Sequence, residues 1–371
     1  MKRIIAVLIM VIIGIGFYHP QNVLAQSCST GNGVETQIIF ENYLDETAYL
    51  YWVGFDCQEA PYGEISPLQT MTMGTYDGHE WVLRDETGEE LGRGVASSEA
   101  IIPVILGEKI EITDPLGFAY RPDEDWEWAV IEGYDGCEVR PTTPEDGLDP
   151  FYEKMCDYMG IPIVSSNNVP DEALQMAWNI MANMLQGQSL VVEKILEFEI
   201  KMGIVAESEG ITVLPEYAFL RNDPVTNWDE RARGLGGSPS VPLGSGAEEN
   251  LLCYASDRYF GENIFLHEFA HTIKDSGIAF VDPTFNLALN LAYQQAIETG
   301  LWEDTYALET IEEYWAEGVQ DYFNTNLEAI PTNGIHNFVN TREELKEYDP
   351  TLFAIIDRVF NGFEWTPLCP S

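Results

Sequence analysis

Residues 262–273 read ENIFLHEFAHTI, an apolar segment that contains the pattern His-Glu-x-x-His. On an α-helix, positions four apart lie on one face about 6 Å from each other, so His267 and His271 can share one metal ion. Glu268 then stands beside the open coordination position. The pattern therefore predicts a helix that holds one Zn²⁺ per chain, with Glu268 taking a proton from zinc-activated water during hydrolysis.

A structural alternative exists for this pattern, namely a buried helix whose two histidines are satisfied by protein groups. The segment does carry apolar side chains that would pack it into a core, including Phe265 and Phe269. Buried His and Glu side chains are nevertheless unfavourable without partners, and a metal ion supplies one. The metal interpretation is therefore favoured.

A third protein ligand has to come from another part of the chain. Residues 310–323 read TIEEYWAEGVQDYF, a predicted helix with Glu313 and Glu317 on one face. One of these glutamates would bind the metal, and a carboxylate behind it would orient a ligand histidine. The residues alone leave two arrangements open. Either Glu313 is the ligand with Glu317 behind it, or Glu317 is the ligand with Asp321 behind it.

The N-terminus has the pattern of a secretory signal peptide. Two basic residues precede an uncharged apolar run at positions 4–17, and a Val-Leu-Ala step ends at residue 25. The run is short for a membrane span, which needs about 20 residues, although an N-terminal anchor is the alternative. We predict cleavage after residue 25 and a secreted protein. All six cysteines follow this point, so we expect disulfides.

The charge of the chain limits its partners. The formal net charge is −44, from 18 basic and 62 acidic residues. Such a field repels nucleic acid and anionic membranes. No later segment is long and apolar enough to cross a membrane. We therefore expect a protein or peptide partner, no nucleic acid, and no membrane span once the signal has been removed.

The chain is predicted to be multidomain. Short β-like segments at 36–40, 48–53, 80–84 and 109–113, separated by Gly, Pro, Asp and Asn, predict an all-β sandwich over residues 29–115. Residues 116–155 are acidic and rich in Pro and Trp, which favours a linker. Residues 156–371 show helical periodicity around a small sheet, an α+β pattern. Predicted elements are helices near 170–185, 190–201 and 341–356 and a strand at 203–207.

The sandwich segment resembles the β domain of the von Hippel-Lindau tumour suppressor. The resemblance covers roughly residues 34–113 and rests on Asn42, residues 51–56 (YWVGFD), residues 60–62 (APY) and residues 75–85 (TYDGHEWVLRD). In that family the β domain binds a hydroxyproline-containing peptide. By position, the resemblance implies a pocket made of Trp52, Tyr62, Thr75, His79 and Trp81. Thr75 stands where the family has serine, and nothing resembles the family's helical adaptor-binding domain.

The C-terminal half resembles HExxH gluzincin-like, zincin-type metallopeptidases of the anthrax lethal factor and Mlc titration factor type. The resemblance rests on residues 267–271 (HEFAH) and, 42 residues later, residues 313–317 (EYWAE). In these enzymes the ligand glutamate precedes two aromatic residues and an alanine, which implies Glu313 as the third ligand. A tyrosine seven positions earlier stabilises the oxyanion in lethal factor. Tyr306 stands at that position.

Together these features predict a secreted zinc metalloendopeptidase whose sandwich docks proline- or hydroxyproline-rich protein. The alternative is a non-catalytic secreted or surface peptide-binding protein with a structural zinc site. Two further features could contact the substrate, although a lone loop histidine is more often structural and a glycine-rich stretch is equally well an ordinary surface loop. His336 is a candidate substrate contact, and the glycines of residues 228–237 (WDERARGLGG) allow close approach of the backbone to a neighbour or a peptide.

Overall fold

The computed structural model describes residues 28–31, 33–44, 46–99, 103–107, 112–134, 136–224 and 226–368. The predicted signal peptide lies outside these residues, as does Cys369. Among the described residues, no helix combines the length and apolar character that a membrane crossing requires.

Two sheets build the N-terminal domain. The strands are β1 (Glu35–Asn42), β2 (Ala48–Val53), β3 (Glu59–Ile65), β4 (Thr70–Tyr76), β5 (Glu80–Arg84), β6 (Glu90–Val95) and β7 (Val104–Leu106). One sheet has the order β4-β1-β7 and the other the order β3-β2-β5-β6. Both sheets contribute to one hydrophobic core, in which Phe40, Leu50 and Trp81 are buried. This arrangement is the sandwich that the sequence predicts.

Some strands could be read from the sequence and others could not. The predicted segments at 36–40, 48–53 and 80–84 coincide with β1, β2 and β5, which alternate or bury apolar side chains. β3 and β4 are mostly exposed and polar, and β6 contains two glycines, so their periodicity is weak. Of the predicted strand at 109–113, residues 109–111 lie outside the described residues. Ile112 and Thr113 are not in a strand.

A five-stranded mixed sheet lies in the second domain. Its order is β12-β11-β10-β9-β8, and its strands are β8 (Arg140–Pro141), β9 (Lys154–Tyr158), β10 (Ile161–Ser165), β11 (Lys201–Val205) and β12 (Leu243–Ala247). β10, β11 and β12 run parallel, whereas β8 and β9 pair antiparallel. β12 lies at one end of the sheet and packs against the helix that carries the His-Glu-x-x-His pattern.

The second domain is otherwise mainly helical, and some of its helices pack on the sheet whereas others pack on helices. The helices are α1 (Asp171–Met184), α2 (Ser189–Glu197), α3 (Trp228–Arg231), α4 (Glu248–Leu251), α5 (Ile264–Ile273), α6 (Ala279–Val281), α7 (Thr284–Thr299), α8 (Ile311–Tyr322), α9 (Arg342–Tyr348) and α10 (Pro350–Val359). A π-helical turn, Lys274–Ile278, joins α5 to α6. The single closing helix predicted at 341–356 is two helices, because Asp349 ends α9 and caps α10.

The segment predicted as a linker is packed on the second domain. We call residues 116–134 the strap. Its backbone amides donate to buried side chains of the domain. Tyr120 N lies 2.6 Å from Asp282 Oδ2, and Ile131 N lies 2.9 Å from Asn183 Oδ1. β8 and the first residues of β9 also fall inside the predicted linker. Buried amide and carboxylate side chains of the second domain thus accept hydrogen bonds from the backbone of the strap. The second domain therefore begins well before residue 156.

Disulfides fasten both domains. Cys28 is bonded to Cys57 in the sandwich, and Cys137 is bonded to Cys156 between the end of the strap and β9. Cys253 is also disulfide-bonded. The expectation of disulfides is therefore confirmed, and these bonds are compatible with an extracellular protein.

Candidate metal centre

Helices α5 and α8 position the predicted metal ligands. Asn263 caps α5 by accepting from Leu266 N, and Thr310 caps α8 by accepting from Glu313 N. The two helices are tied directly, because the Trp315 indole donates to the carbonyl of Ala270 at 2.9 Å. These caps and this contact fix the register of one helix against the other. The face with His267 and His271 thereby meets the face with Glu313.

The structure brings His267, His271 and Glu313 together. Their atoms converge on one point: His267 Nε2 lies 3.1 Å from His271 Nε2 and 3.1 Å from Glu313 Oε2, and His271 Nε2 lies 3.6 Å from the same oxygen. Ligands about 2.0–2.1 Å from a tetrahedral zinc ion stand about 3.3 Å apart. The spacing of the three atoms fits that geometry.

The chemistry of the three groups also fits a cation. Glu313 Oε2 is buried and accepts no well-formed hydrogen bond from the described residues. Two imidazole nitrogens and one carboxylate oxygen form a donor set that zinc prefers. A buried carboxylate oxygen without a hydrogen bond is unfavourable, and a bound cation removes that penalty.

The side chains behind His267 differ in part from the prediction. Nδ1 of this ring lies 2.7 Å from Gln320 Oε1 and 3.5 Å from Glu317 Oε1. Gln320, which is fully buried, is thus the nearer acceptor. Sequence reasoning missed it, although residue 320 lies seven positions after Glu313 and therefore on the same helix face. Glu317 lies behind the ring, on the side away from His271.

This placement separates the two arrangements that the sequence left open. Glu317 faces Nδ1 of His267, whereas His271 meets the opposite nitrogen, Nε2. A metal bound by Glu317 through Nδ1 would therefore exclude His271. Asp321, the outer carboxylate of that second arrangement, is completely buried and accepts no well-formed hydrogen bond from the described residues. Burial and the charge of Glu317 raise the pKa of Asp321 well above its usual range.

Carboxylates dominate the electrostatics of the site. Burial lowers the pKa of His267, but contact with Glu313 and the charges of Glu268 and Glu317 together raise it to about 10. Burial raises the pKa values of Glu268 and Glu317. Burial would also raise the pKa of Glu313, yet the two imidazoles hold it well below its usual range. The site therefore favours a positive charge between His267 and Glu313, supplied by a proton or a metal ion.

Glu268 and Tyr306 both lie at this cluster. One carboxylate oxygen of Glu268 and one ring nitrogen from each histidine lie within 4.8 Å of one another. The Tyr306 hydroxyl donates to Glu313 Oε1 at 3.1 Å. Burial and the Glu313 charge raise the pKa of Tyr306 to about 12. Tyr306 is therefore a neutral hydrogen-bond donor at neutral pH.

A glycine-containing segment crosses the α5 helix beside these groups. Leu235 forms an isolated antiparallel bridge with Ser245 of β12. A Cβ on Gly234 would lie 2.7 Å from Glu268 Cγ, and a Cβ on Gly236 would lie 2.6 Å from His271 Cβ. The close approach expected from these glycines is thus present, and the backbone partner is β12.

His336, the candidate substrate contact, is a buried side chain. This side chain is only 7% exposed, and its Nε2 lies 3.5 Å from Glu262 Oε1. Burial lowers the pKa of His336, but the Glu262 carboxylate raises it overall. Its burial and the nearby carboxylate favour the structural role, an ion pair with Glu262.

The five predicted pocket residues of the sandwich lie next to one another. Thr75 Oγ1 is 3.2 Å from His79 Nδ1 and accepts from the Trp81 indole at 3.3 Å. The rings of Tyr62 and Trp81 meet edge to face at 4.8 Å, and those of Trp52 and His79 lie 5.3 Å apart. Strands β2 to β5 and the loop between β4 and β5 supply these side chains.

Two further aromatic residues border this pocket. Phe55 and Tyr76 are both exposed, and their rings lie 5.5 and 5.3 Å from the His79 ring. Sequence reasoning named neither as a pocket residue. Their positions, three residues after Trp52 and three before His79, could have indicated them.

Comparison with known families supports one half of the sequence interpretation. The model of the VHL beta domain matches residues 27–104. No curated protein matches the chain. The N-terminal sandwich is therefore similar to the VHL beta domain in sequence, and its β-sheet structure is consistent with that family.

Proposed function

We propose that this protein is a secreted zinc-dependent metalloendopeptidase that uses its sandwich to dock proline- or hydroxyproline-containing protein substrates. The observation that carries the proposal is the convergence of His267 Nε2, His271 Nε2 and Glu313 Oε2 within 3.1–3.6 Å of one another, next to Glu268. His267, His271 and Glu313 would hold one Zn²⁺ per chain. Gln320 and Glu317 would orient the His267 ring from behind.

The residues of the chain suit peptide hydrolysis. Bound zinc supplies a Lewis acid that polarises the substrate carbonyl and lowers the pKa of water. Glu268 acts as the general base that takes a proton from the attacking water, and then as the acid that protonates the leaving amine. Its raised pKa, caused by burial, moves it towards the neutral pH at which both transfers are efficient.

Tyr306 would stabilise the charge that develops on the carbonyl oxygen. The hydroxyl is neutral at physiological pH and already lies in the ligand cluster, where it donates to Glu313. A hydrogen-bond donor directed at a developing oxyanion is among the largest contributions to catalysis. To act in this way, Tyr306 has to turn from Glu313 towards the substrate.

The substrate backbone would bind along residues 233–237. Leu235 and Gly237 direct their amides inwards, to Ser245 Oγ at 3.0 Å and Thr272 Oγ1 at 2.9 Å. In an extended segment the intervening residues direct their backbone groups to the other side. Gly234 and Gly236 can therefore offer backbone groups to a peptide lying over α5.

The sandwich would dock substrate through the pocket of Trp52, Tyr62, Thr75, His79 and Trp81. Aromatic rings pack well against a flat pyrrolidine ring, and a His and a hydroxyl can hydrogen-bond a 4-hydroxyl group. Similarity of residues 27–104 to the VHL beta domain supports this part of the proposal. Docking on the same chain raises the local concentration of substrate at the metal centre.

The experiment is cleavage of a mixed peptide library by the secreted chain, with zinc content measured in parallel. We expect one zinc per chain and cleavage that is lost with a chelator and in Glu268→Gln. Retained cleavage in Glu268→Gln would contradict the assigned role of Glu268. One bound zinc without any cleavage would favour the non-catalytic binding protein with a structural zinc site.

A further inference from the structure

The sandwich is almost uniformly acidic. Residues 28–107 contain fourteen Asp and Glu but only two basic residues, Arg84 and Arg93. Both arginines are already engaged within the sandwich: Arg84 lies 2.6 Å from Glu59, and Arg93 lies 2.7 Å from Glu90. Arg93 also pairs with Glu80 at 2.5 Å. The positive charge of the sandwich is therefore neutralised internally, and a partner meets a negative surface.

Two exposed carboxylates adjoin the aromatic pocket. Asp56 directly follows Phe55, and a Cβ added to Gly54 would lie 2.7 Å from Asp56 Oδ1 and 3.7 Å from the Trp52 ring. Glu35 pairs with Tyr76 in the register of β1 and β4. A peptide seated in the pocket would therefore meet a carboxylate beside each of the bordering aromatic residues, Phe55 and Tyr76.

A groove leads away from the pocket along β1 and β4. Its volume is about 460 Å³, and it shares Thr75 with the pocket. The lining residues are Glu35, Thr36, Gln37, Gly74, Thr75 and Tyr76. Of these six, Glu35 alone is charged. The groove thus offers an extended chain polar contacts, one aromatic ring and a single negative charge.

We propose that this surface selects a cationic segment, that is, a Lys- or Arg-bearing peptide whose imino acid enters the aromatic pocket. This inference rests on the proposed docking function and names its substrate class. An aromatic pocket by itself accepts a pyrrolidine ring whatever charges flank it. The carboxylates at its border attract cations and repel acidic chains, and exposed aromatic rings add cation–π contacts.

The test measures binding of four synthetic peptides to full-length Glu268→Gln protein, which removes the proposed general base. The peptides carry a central proline or 4-hydroxyproline, flanked on both sides by either lysines or glutamates. Titrations are run at about 20 mM and about 300 mM NaCl, because salt screens exposed charges over these conditions. We expect lysine-flanked peptides to bind about tenfold more tightly than glutamate-flanked ones at low salt, and the ratio to shrink at high salt.

Matched variants show whether the two carboxylates at the border of the pocket cause the preference for lysine-flanked peptides. Asp56→Asn combined with Glu35→Gln removes both border charges and keeps the side-chain shape and the Asp56 acceptor for Gln58 N. The control is Glu86→Gln with Glu89→Gln, two exposed residues in the hairpin beyond the far end of β5. We expect the border variant to lose most of the preference for lysine-flanked peptides and the control variant to keep it.

The outcomes separate this inference from the docking proposal. If hydroxyproline peptides flanked by lysines and by glutamates bind equally well, the proposed charge selection is wrong, but the proposed hydroxyproline pocket is not contradicted. Lysine-dependent binding without any advantage of hydroxyproline over proline would support charge selection and remove the hydroxyproline pocket. Absence of binding by all four peptides would overturn both.

Discussion

The two candidate sites differ in how far their own side chains satisfy one another. In the sandwich, Thr75 accepts from Trp81 and contacts His79, so three of the polar side chains of the pocket already contact one another, whereas the Trp52 indole nitrogen is buried without a hydrogen-bond partner among the described residues. At the α5–α8 cluster, Glu313 Oε2 is buried without a well-formed hydrogen bond from the described residues. The sandwich therefore presents a largely preformed pocket, whereas the α5–α8 cluster contains a buried carboxylate oxygen that a cation would stabilise.

The largest effect is expected from removing a metal ligand. His271→Ala should reduce zinc affinity more than about 100-fold. Loss of a residue that only hydrogen-bonds a metal ligand reduces it by up to about 100-fold. Peptide cleavage should fall to the level of chelator-treated protein. Zinc content and a competition titration measure this, and binding of a hydroxyproline peptide to the sandwich serves as the internal control. A variant that retains full zinc affinity would contradict the proposed ligand set.

The next largest effect is expected from Gln320, the buried amide behind the candidate metal centre. Gln320 Oε1 lies 2.7 Å from Nδ1 of His267 and can accept a hydrogen bond from it, so that Nε2 is the nitrogen that would give up its proton to bind metal. Gln320→Leu should lower zinc affinity about 10- to 100-fold, whereas Gln320→Glu keeps an acceptor and should retain most of it. Equal zinc affinities of the leucine and glutamate variants would show that the hydrogen bond to His267 does not control metal binding.

The third prediction tests whether the pocket of the sandwich is really preformed. Thr75→Val removes the shared hydroxyl and should weaken hydroxyproline-peptide binding about tenfold without changing zinc content. Thr72→Val, an exposed position on the same strand β4, is the matched control and should bind normally. Equal losses in both variants would point to a general effect on the strand.

The smallest effect concerns His336, which the structure assigns to an ion pair. Because Glu262 raises the folded-state pKa above its ordinary value of 6.5, the pair stabilises the fold fully below pH 6.5. That contribution is lost as pH rises through the raised folded-state pKa. His336→Gln should therefore destabilise the protein by about 1 kcal/mol at pH 6 and by less at pH 9. Urea titrations at both pH values check this, and a large change in KM would instead favour a substrate contact.

The sequence predicted elements with strong periodicity or a metal-ligand spacing. His267 and His271 four residues apart required a helix, and α5 begins two residues after the start of the predicted segment. β3 and β4 were not predicted as strands. Most of their residues are exposed, so apolar and polar side chains do not alternate along them in a recognisable pattern. Gln320 was missed because an amide has no charge or spacing rule that would distinguish it from an ordinary helix residue.

The extent of the second domain could not be predicted from composition. Acidic, proline-containing sequence is typical of linkers, yet the strap satisfies its amides on Asp282, Asn183 and Gln186. Those partners lie between 52 and 163 residues away along the chain, and no local pattern indicates such pairing. The partner of His336 could not be identified for the same reason, because Glu262 is remote in sequence.

The strap also has a bearing on how such a protein could arise. Since residues 116–134 and the Cys137–Cys156 bond belong to the second domain, the natural boundary between the two building blocks lies between Leu106 and Leu116. Duplication or exchange of a gene segment at that boundary would move a complete sandwich and leave every hydrogen bond of the strap intact. The same sandwich could thus be inherited with other C-terminal domains, and this second domain with other N-terminal modules.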